Sequence, residues 1–567
     1  MGIAGDLALN VVSDTTVASF QPDDFSTVVI TGTNTDGFSL DVQVRNSSRA
    51  VAVAGAGAFA LQSPLEGGDP ANGKVRSFAV AGSFAFNNVT QDTLAQIGLG
   101  NQNTTPTKVQ SFGPVQVTAY AGGQRGDGVA DENEYFFAVS GSLSASQSRG
   151  AGSFSGAFSF ASTVFSGTTE ALLANVQLEG LAEGNAAGAV TVQATNNLKL
   201  SSDGGALAVA IAQGQGATGG GIGAMAAWNV YTAGVHALVQ NASITAASLT
   251  VTAEEFSDLH AMALAGAIVV GHPVLAVSGA VASNAVQRDV LALVSGTGTV
   301  TISGTAPAIT ITATDDMSLY AWSTGVAAAI GTSGSFAASI GASVSWNRLQ
   351  WSDGVYGQRG VVASLSGVLL DAAGADLKVN ATSTPLVTAI ATPLGILAVK
   401  TEKEPESGWV PNPTIAAALA WNELGNLSGS DDTGWNPSAQ VKAEVAPASL
   451  SSCHDLTVQA TYVPTVTART VEIAFSLVLS TTSAVEVTVG FSYTLNHDFT
   501  EVQALLGSAS SSSPVGMTVT GDVQVTAQTE MQTADGLKTA SWSSLSVGVT
   551  LSFAFANAGD VNVTGLG

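Results

Sequence analysis

Charged residues are scarce in this chain, and basic ones are the scarcest. Only 10% of the 567 residues are charged, with Lys+Arg 17 against Asp+Glu 42 and a formal net charge of −25. A typical soluble domain carries about 25% charged residues. A nucleic-acid backbone and an anionic membrane surface both require a basic footprint on the protein. The composition therefore predicts no nucleic-acid partner and no polybasic membrane contact.

Cysteine, aromatic residues and long apolar runs are also few. Cys453 is the single cysteine, which excludes an intrachain disulfide framework and a cysteine-cluster metal site. No uninterrupted apolar run reaches about 18 residues, so no transmembrane helix is expected, and the start of the chain lacks the basic region of a signal peptide. Aromatics make up 6% and hydrophobic residues 46%, so the apolar content is mostly small and β-branched. This content suffices for a folded core and excludes general disorder.

An apolar-x-apolar-x-Ala segment recurs along the chain, at a mean spacing of roughly 68 residues. Strict alternation places Leu249, Val251 and Ala253 on one face and Thr250 and Thr252 on the other, which predicts a half-buried β-strand. The seven copies are Val115–Ala119, Val190–Ala194, Leu249–Ala253, Ile309–Ala313, Leu377–Ala381, Leu456–Ala460 and Val523–Ala527.

A second recurring segment alternates small and apolar residues and ends in asparagine. Three copies end in Trp-Asn, and one unit, near Phe158–Ala161, lacks the asparagine. We expect Asn229, Asn347 and Asn422 to form a side-chain amide ladder that satisfies backbone groups at a turn. The three preceding residues, Trp228, Trp346 and Trp421, are interpreted as packed structural residues, with a carbohydrate-stacking ladder as the alternative.

Together these segments predict an all-β fold: a continuous, repetitive β-solenoid or stacked-sheet array that is elongated. Inward Ala, Gly and Ser suit thin, closely stacked sheets, whereas separate β-sandwich domains, the alternative, prefer larger core residues. The chain opens and stops within a unit, so we expect neighbouring repeats of a longer array, or copies of the chain, to cover its ends. The approximate units are 1–110, 111–185, 186–245, 246–305, 306–373, 374–452, 453–520 and 521–567.

Connection lengths vary most at one point of the unit. Gly271–Pro273 is a short connection and Lys400–Pro413 a long, polar one. Such variation at a fixed point indicates loops that project from one side of a stack.

The recurring strands resemble the β-repeats of giant bacterial surface proteins and adhesins, and more loosely the filamentous-haemagglutinin-like β-solenoids. The resemblance is carried by the seven apolar-x-apolar-x-Ala strands and by the Asn-ended strands, so it covers nearly the whole chain. It implies export to the cell surface, a rod or fibre shape, and adhesive or scaffolding work.

Catalytic motifs are weak or missing, so no enzyme activity is expected. None of the five histidines lies in an H-E-x-x-H pattern, and the sequence has no phosphate-binding loop. Asn34-Thr-Asp-Gly37 matches a signature of polygalacturonases, β-helix enzymes that cleave glycosidic bonds with several carboxylates. Their paired aspartates find a counterpart only in Asp315-Asp316, and Gly271-His272-Pro273 breaks their histidine motif.

One acidic segment is a candidate calcium site. Asp127, Asp131, Glu132 and Glu134 place four carboxylates within eight residues, and calcium requires six to eight oxygen ligands. No EF-hand pattern is present, and a solvated acidic loop is the favoured interpretation. No other cofactor is expected.

The sequence thus favours a structural region of an extracellular surface filament, stalk or adhesin that associates with itself or attaches cells. The alternatives are a calcium- or carbohydrate-binding adhesive module, with surface glycans as partners, and a polysaccharide-acting β-helix enzyme.

Overall fold

The computed structural model describes most of the chain as a single stack of coils. Within the described residues no α-helix occurs, and so none is long and apolar enough to span a membrane. The described residues are all except 22–26, 35, 62–75, 99–105, 123–133, 150, 182–185, 214–216, 305–307, 333–335, 352–355, 357, 402–410, 426–438, 481–484, 508–515, 534–535, 557–564 and 567.

Each coil passes in turn through three sheets, which we call sheets A, B and C. The first coil consists of β1 (Gly2–Phe20) in A, β2 (Thr27–Ile30) and β3 (Leu40–Asn46) in B, and β4 (Ala50–Leu61) in C. The second has β5 (Ser77–Gly98) in A, β6 (Thr107–Ser111) and β7 (Val115–Gly122) in B, and β8 (Glu134–Arg149) in C. The third has β9 (Ser153–Ala174) in A and β10 (Val176–Glu179) in B, and β11 (Ala187–Gln213) runs through both B and C. The fourth has β12 (Gly219–Gln240), β13 (Ser243–Glu255) and β14 (Asp258–Gly271).

The later coils repeat this path with more interruptions. The fifth has β15 (Val274–Ser295), then β16 (Thr299–Ile302) and β17 (Ala308–Asp315), then β18 (Ser318–Thr332). The sixth has β19 (Ala337–Trp351) and β20 (Val361–Ser366), then β21 (Leu369–Asp371) and β22 (Asp376–Ser383), then β23 (Leu386–Ala391) and β24 (Leu394–Thr401). The seventh has β25 (Pro411–Leu424) and β26 (Ala439–Ala446), then β27 (Ser449–Cys453) and β28 (Leu456–Tyr462), then β29 (Thr465–Ser480). The eighth has β30 (Val485–Asp498) and β31 (Thr500–Leu506), β32 (Met517–Val519) and β33 (Val523–Gln528), a hairpin of β34 (Glu530–Thr533) and β35 (Gly536–Thr539), and β36 (Ser541–Ala556), before β37 (Gly565–Leu566) returns to sheet A.

Strands pair in parallel with the corresponding strands of the next coil, which confirms the expected all-β solenoid. Among the described strands only β34 and β35 pair antiparallel. Residues that face each other in the ladder described below lie between 55 and 77 positions apart in the chain. One sequence unit is therefore one wide coil. Apart from the hairpin of β34 and β35, the described strands pair with strands of neighbouring coils and not within their own coil, so the alternative of separate β-sandwich domains is excluded.

The seven apolar-x-apolar-x-Ala strands stack in register in sheet B. Val190 pairs with Val115 and with Leu249, and the same column continues through Ile309 and Leu377 to the later coils. In the first six copies the inward residues are buried and the alternate residues face outward, as the period-2 pattern predicts, whereas Val523 and Val525 of the seventh copy, in the last coil, are exposed. The first coil supplies an eighth member, Leu40–Val44, which the sequence pattern did not include because it ends in valine.

The coil is narrow along one part of its length and wide along the other. Where sheets A and C face each other, the buried residues are mainly alanine and serine, as at Ala85, Ala138 and Ser155. Where sheets A and B enclose the core, they are mainly valine, leucine and isoleucine, as at Val251 and Ile311. Side-chain volume determines how closely two sheets pack. The small inward residues therefore allow sheets A and C to form a thin two-layered arm.

Glycine is required where the two sheets of the arm come closest. A Cβ atom on Gly223 of sheet A would lie 2.0 Å from the carbonyl oxygen of Gly266 in sheet C. On Gly325 it would lie 2.2 Å from the carbonyl oxygen of Ala342. Both contacts are with backbone, which cannot move aside as a flexible side chain can.

Long connections occur at more than one place in the coil. Residues 62–75 and 402–410 lead from sheet C to sheet A, as the short Gly271–Pro273 does. Residues 123–133 lead from sheet B to sheet C, and 426–438 interrupt the sheet A layer. The prediction that connection length varies mainly at one point of each unit is therefore wrong.

We predict that Gly223→Ala destabilises the chain, because the added methyl group forces the two sheets of the arm apart. Overpacking of this kind costs about 1–3 kcal/mol or more. The control is Gly279→Ala in the next strand of the same sheet, where an added Cβ has no atom within 4 Å. Thermal and urea unfolding should show a lower midpoint for Gly223→Ala only; equal midpoints would contradict the close approach of sheets A and C.

Candidate functional site

An asparagine ladder crosses the thin arm. Asn229, Asn284, Asn347 and Asn422 each donate from Nδ2 to Oδ1 of the asparagine one coil further on, and from the same nitrogen to a carbonyl of sheet C, as Asn229 does to His260 O at 2.6 Å. The amides therefore join neighbouring coils and also hold the two sheets together. They meet carbonyls within the strands of sheet C, not at a turn. Asn87, whose register partner is Thr163, has no hydrogen-bond partner for its Nδ2 among the described residues. The ladder contacts are Asn10 to Asn87 at 2.9 Å, Asn229 to Asn284 at 2.8 Å, Asn284 to Asn347 at 2.8 Å, Asn347 to Asn422 at 3.0 Å and Asn422 to Asn496 at 2.9 Å.

The third coil carries Thr163 at the ladder position and repairs the ladder with a serine. Thr163 Oγ1 donates to Ser201 O at 3.2 Å, which replaces the cross-sheet bond. A threonine cannot also donate to the next amide. Ser202 Oγ lies 2.7 Å from Asn229 Oδ1 and donates to it instead. Its register partners in the adjacent coils are Ala138 and Ala261, so among these three coils the serine occurs only in the coil that lacks the asparagine.

The tryptophans that precede the ladder lie on the outer face of sheet A. Trp346 and Trp421 stack with ring centroids 5.4 Å apart, in adjacent coils. Trp228 lies in the same column but is separated from them by Ser283, and its side chain is 41% exposed. Because the facing sides of Trp346 and Trp421 cover each other, this contact favours packing over a sugar-stacking surface.

We predict that Asn347→Thr destabilises the chain by about 1–3 kcal/mol, since Asn422 Oδ1 loses its donor inside the protein. Ala389 occupies the register position that Ser202 occupies in the third coil. Adding Ala389→Ser to Asn347→Thr should therefore recover much of the lost stability. Ala389→Ser alone should not stabilise the chain, because Asn422 Oδ1 already has Asn347 as its donor. Urea unfolding of the two single variants and the double variant gives the coupling energy. Additive effects would contradict the repair seen at Thr163 and Ser202.

A charged group is buried where sheet B bends into sheet C. The Arg288 guanidinium pairs with Asp315, and both side chains are fully buried. Arg288 also lies over the ring of Trp351, 4.8 Å from its centroid. Ser383 donates to Asp315 Oδ2 at 2.7 Å. A buried charge requires a partner of opposite sign, and Asp315 provides it.

Glu255 is the register neighbour of Asp315 and belongs to the same column. Tyr231 donates to Glu255 Oε2 at 2.9 Å, and the backbone N–H of Ser257 donates to Oε1 at 3.1 Å. Burial raises the pKa of the Glu255 carboxyl above its ordinary value. These groups satisfy backbone donors at the bend. They are enclosed by the coil and give no access to a substrate.

A second ionised cluster lies on the outer face of sheet A. His236 Nε2 lies 3.0 Å from Asp289 Oδ2, and Nδ1 lies 3.5 Å from Glu170 Oε2, an ionic contact longer than an ordinary hydrogen bond. Burial alone would lower the pKa of His236, but Asp289 and Glu170 outweigh it and raise the pKa to about 9. The imidazole is therefore protonated at neutral pH, and a protonated histidine cannot act as a general base.

Glycine and tyrosine complete this cluster. A Cβ on Gly234 would lie 2.7 Å from His236 Nε2, so the glycine leaves room for the ring to reach Asp289. Tyr356, in the connection between β19 and β20, donates to Glu170 Oε2 at 3.0 Å and packs its ring edge against His236. Burial and the Glu170 carboxylate raise the pKa of Tyr356. The cluster thus holds Tyr356 against the sheet.

We predict that the stabilisation from His236 depends on pH. Its pKa in the fold, about 9, is above its ordinary value of 6.5, so the contribution is complete below pH 6.5 and is lost as the pH rises through 9. At pH 6, His236→Gln should cost on the order of 2–3 kcal/mol, and at pH 10 much less. Melting temperatures of the chain and the variant across this range test it. His497→Gln, at an exposed histidine of β30, is the control, and a difference for His236→Gln that does not change with pH would contradict the assignment.

A third cluster is exposed at the start of the sheet B strands. His454 Nδ1 lies 3.0 Å from Asp376 Oδ1 and 3.4 Å from Asp455 Oδ1, and one ligand atom from each residue lies within 4.8 Å of the others. The hydrogen bond to Asp376 and the charge of Asp455 raise the pKa of His454, and the bond from His454 lowers the pKa of Asp376. The arrangement is an ion-paired histidine, and its geometry is also one that a divalent cation accepts.

The acidic residues that the sequence favoured for calcium, Asp127, Asp131, Glu132 and Glu134, are not described: the first three are outside the described residues, and of Glu134 only the backbone, in β8, is described. Their role stays a prediction.

The residues of the polygalacturonase-like motif are far from forming a carboxylate pair. Asn34 Oδ1 accepts from the backbone N–H groups of Asp36 and Phe38, at 3.0 and 2.9 Å, as in a turn. Asp315 faces inward to Arg288, whereas Asp316 is exposed and accepts from Thr384. The motif residues described here therefore act in local structure.

No protein-family model, curated protein or solved structure matches this chain. What can be said of its function rests on the solenoid and on the contacts above.

Proposed function

We propose that this chain is a structural segment of an extracellular surface filament, stalk or adhesin. The observation that supports the proposal is the continuous parallel pairing of coil on coil, reinforced by the asparagine ladder. In a parallel sheet the inter-strand hydrogen bonds point toward the neighbouring strand. Here that direction is the axis along which the coils stack, so a load along the stack is shared by a whole coil of backbone bonds.

The stability of such a stack is carried by interfaces between neighbours. Among the described strands, those of one coil pair with those of the coil before it and the coil after it, as in other repeat proteins, and the contact of Tyr356 with Glu170 adds a longer link across the outer face of sheet A. Eight coils at about 4.8 Å each make a stack about 38 Å high. Further coils, in a longer chain or in another copy, would extend it by the same increment.

Charge and redox chemistry are compatible with work outside the cell. The net charge of −25 opposes non-specific clumping. The single cysteine, Cys453, is buried, and burial raises the pKa of its thiol, which makes it a poor thiolate nucleophile. The stack needs no cross-link, because pairing and core packing hold it together.

We predict stepwise unfolding when the chain is pulled from its two ends, because force then acts coil by coil. Coils of 55 to 77 residues should each release about 190–270 Å of chain. Single-molecule force spectroscopy gives these steps. Asn347→Thr should lower the force of the steps that involve its own and the next coil. A single rupture of the whole chain would contradict a stack whose coils separate one after another.

The proposed location of the chain on the cell surface is tested by antibody labelling. Antibodies raised against the chain should label intact cells of the source organism. Labelling that requires cell lysis would refute the extracellular assignment.

A further inference from the structure

One part of the outward face of sheet C is apolar over all eight coils. Three adjacent outward columns begin at Gly57, Phe59 and Leu61 in the first coil and end at Val549, Leu551 and Phe553 in the eighth. Every residue in these columns except Gln147 is glycine or apolar. A water-exposed sheet normally alternates apolar and polar residues, and a continuous apolar face of this kind marks an interaction surface.

Two glycines on this face, Gly55 and Gly141, are not required by the packing of the chain itself. A Cβ on Gly55 or Gly141 would have no atom within 4 Å. Glycine within a strand weakens the strand, and it often marks a place where another backbone approaches closely. Together with Leu207 and Ile268 these glycines line an open apolar groove of about 780 Å³.

The other end of the same face carries bulky residues at the corresponding positions. The column that contains Gly55 and Gly141 reaches Val471 in the seventh coil and Val547 in the eighth. A two-fold axis parallel to the strands would reverse the order of the coils and keep each column opposite itself. The first coil would then face the eighth, with Gly55 opposite Val547 and Gly141 opposite Val471.

We propose that two copies of this chain pair face to face through sheet C, with their coils in opposite order. Gly55 and Gly141 of one copy then face Val547 and Val471 of the other, so in this column small residues receive large ones in both halves of an isologous interface. The pairing rests on the proposed structural function, since it would join two stacks laterally.

Area and charge both favour this occupant. The columns from Gly55 to Leu61 span seven residues, about 23 Å, so eight coils of them cover about 900 Å². A stable interface needs about 800 Å² from each partner. The three columns contain no charged residue, so the acidic groups of the two copies are not brought into contact there.

The oligomeric state of the full chain tests the pairing. Sedimentation and light scattering at micromolar concentration should show dimers. Ile268→Lys places a charge at the centre of the face and should weaken dimerisation about a hundredfold or more. Thr250→Lys is the matched control, because it places the same charge on the outward face of sheet B in the same coil and should leave the dimer unchanged. Circular dichroism should show that both variants remain folded.

The direction of pairing has a separate test. In a Cys453→Ala background, Gly55→Cys and Val547→Cys proteins are mixed and treated with a short bismaleimide. Cross-linked dimers should form in the mixture and not with either variant alone. Gly55→Cys cross-linking to itself would overturn the opposite order of coils.

A monomer at 100 µM, or a dimer insensitive to Ile268→Lys, would overturn the pairing. Flotation of a monomeric chain with phosphatidylcholine vesicles, lost in Ile268→Lys, would assign the face to lipid and also overturn it. A monomer that still unfolds coil by coil under force would refute the pairing and leave the structural function standing.

Discussion

Parallel backbone pairing between successive coils fixes which side chains meet, because each residue lies beside the residue at the same position of the next coil. A residue type repeated at one position therefore becomes a continuous column. Asparagine at the ladder position produces a chain of amide hydrogen bonds, as from Asn284 to Asn347 and on to Asn422. A departure at one position also affects its neighbours, and the third coil shows this with Thr163 and Ser202.

The volume of the inward columns determines the shape of the coil. Alanine and glycine between sheets A and C bring two backbones into contact, whereas valine and isoleucine between sheets A and B keep them apart. The bend from sheet B to sheet C lies where the thin arm joins the wide core. The backbone N–H groups at this bend need hydrogen-bond acceptors. Glu255 supplies acceptors there, and Asp315, its register neighbour, pairs with Arg288. The buried charges are thus a consequence of joining a thin arm to a wide core.

Most of the fold could be predicted from the local periodicity of the sequence. The apolar-x-apolar-x-Ala strands, their faces and their stacking follow from alternation and recurrence, and small inward residues indicated thin sheets. The path of the coil through three sheets did not follow, since the sequence does not show where a long strand such as β11 changes from one sheet to another. The pattern missed strand β3 of the first coil because Val44 stands where the other copies have alanine.

The clusters of charged residues were harder to predict, for a physical reason. Arg288 and Asp315 are 27 positions apart, and His236 and Asp289 are 53 apart, so each contact exists only once register is known. One local signal was available: Arg288 lies at an inward position of an alternating strand, where a charge requires a buried partner. For His236 the corresponding signal was Gly234, whose missing side chain leaves space for the ring.

The corner between sheets C and A accepts connections as different as Gly271–Pro273 and residues 402–410 without any change in the pairing on either side. The length of the connection at this corner does not affect where its coil lies along the stack. A foreign peptide grafted into the corner would therefore be displayed at a height set only by the coil that bears it. Peptides grafted into this corner of different coils would therefore lie at defined distances from one another, in increments of one strand spacing.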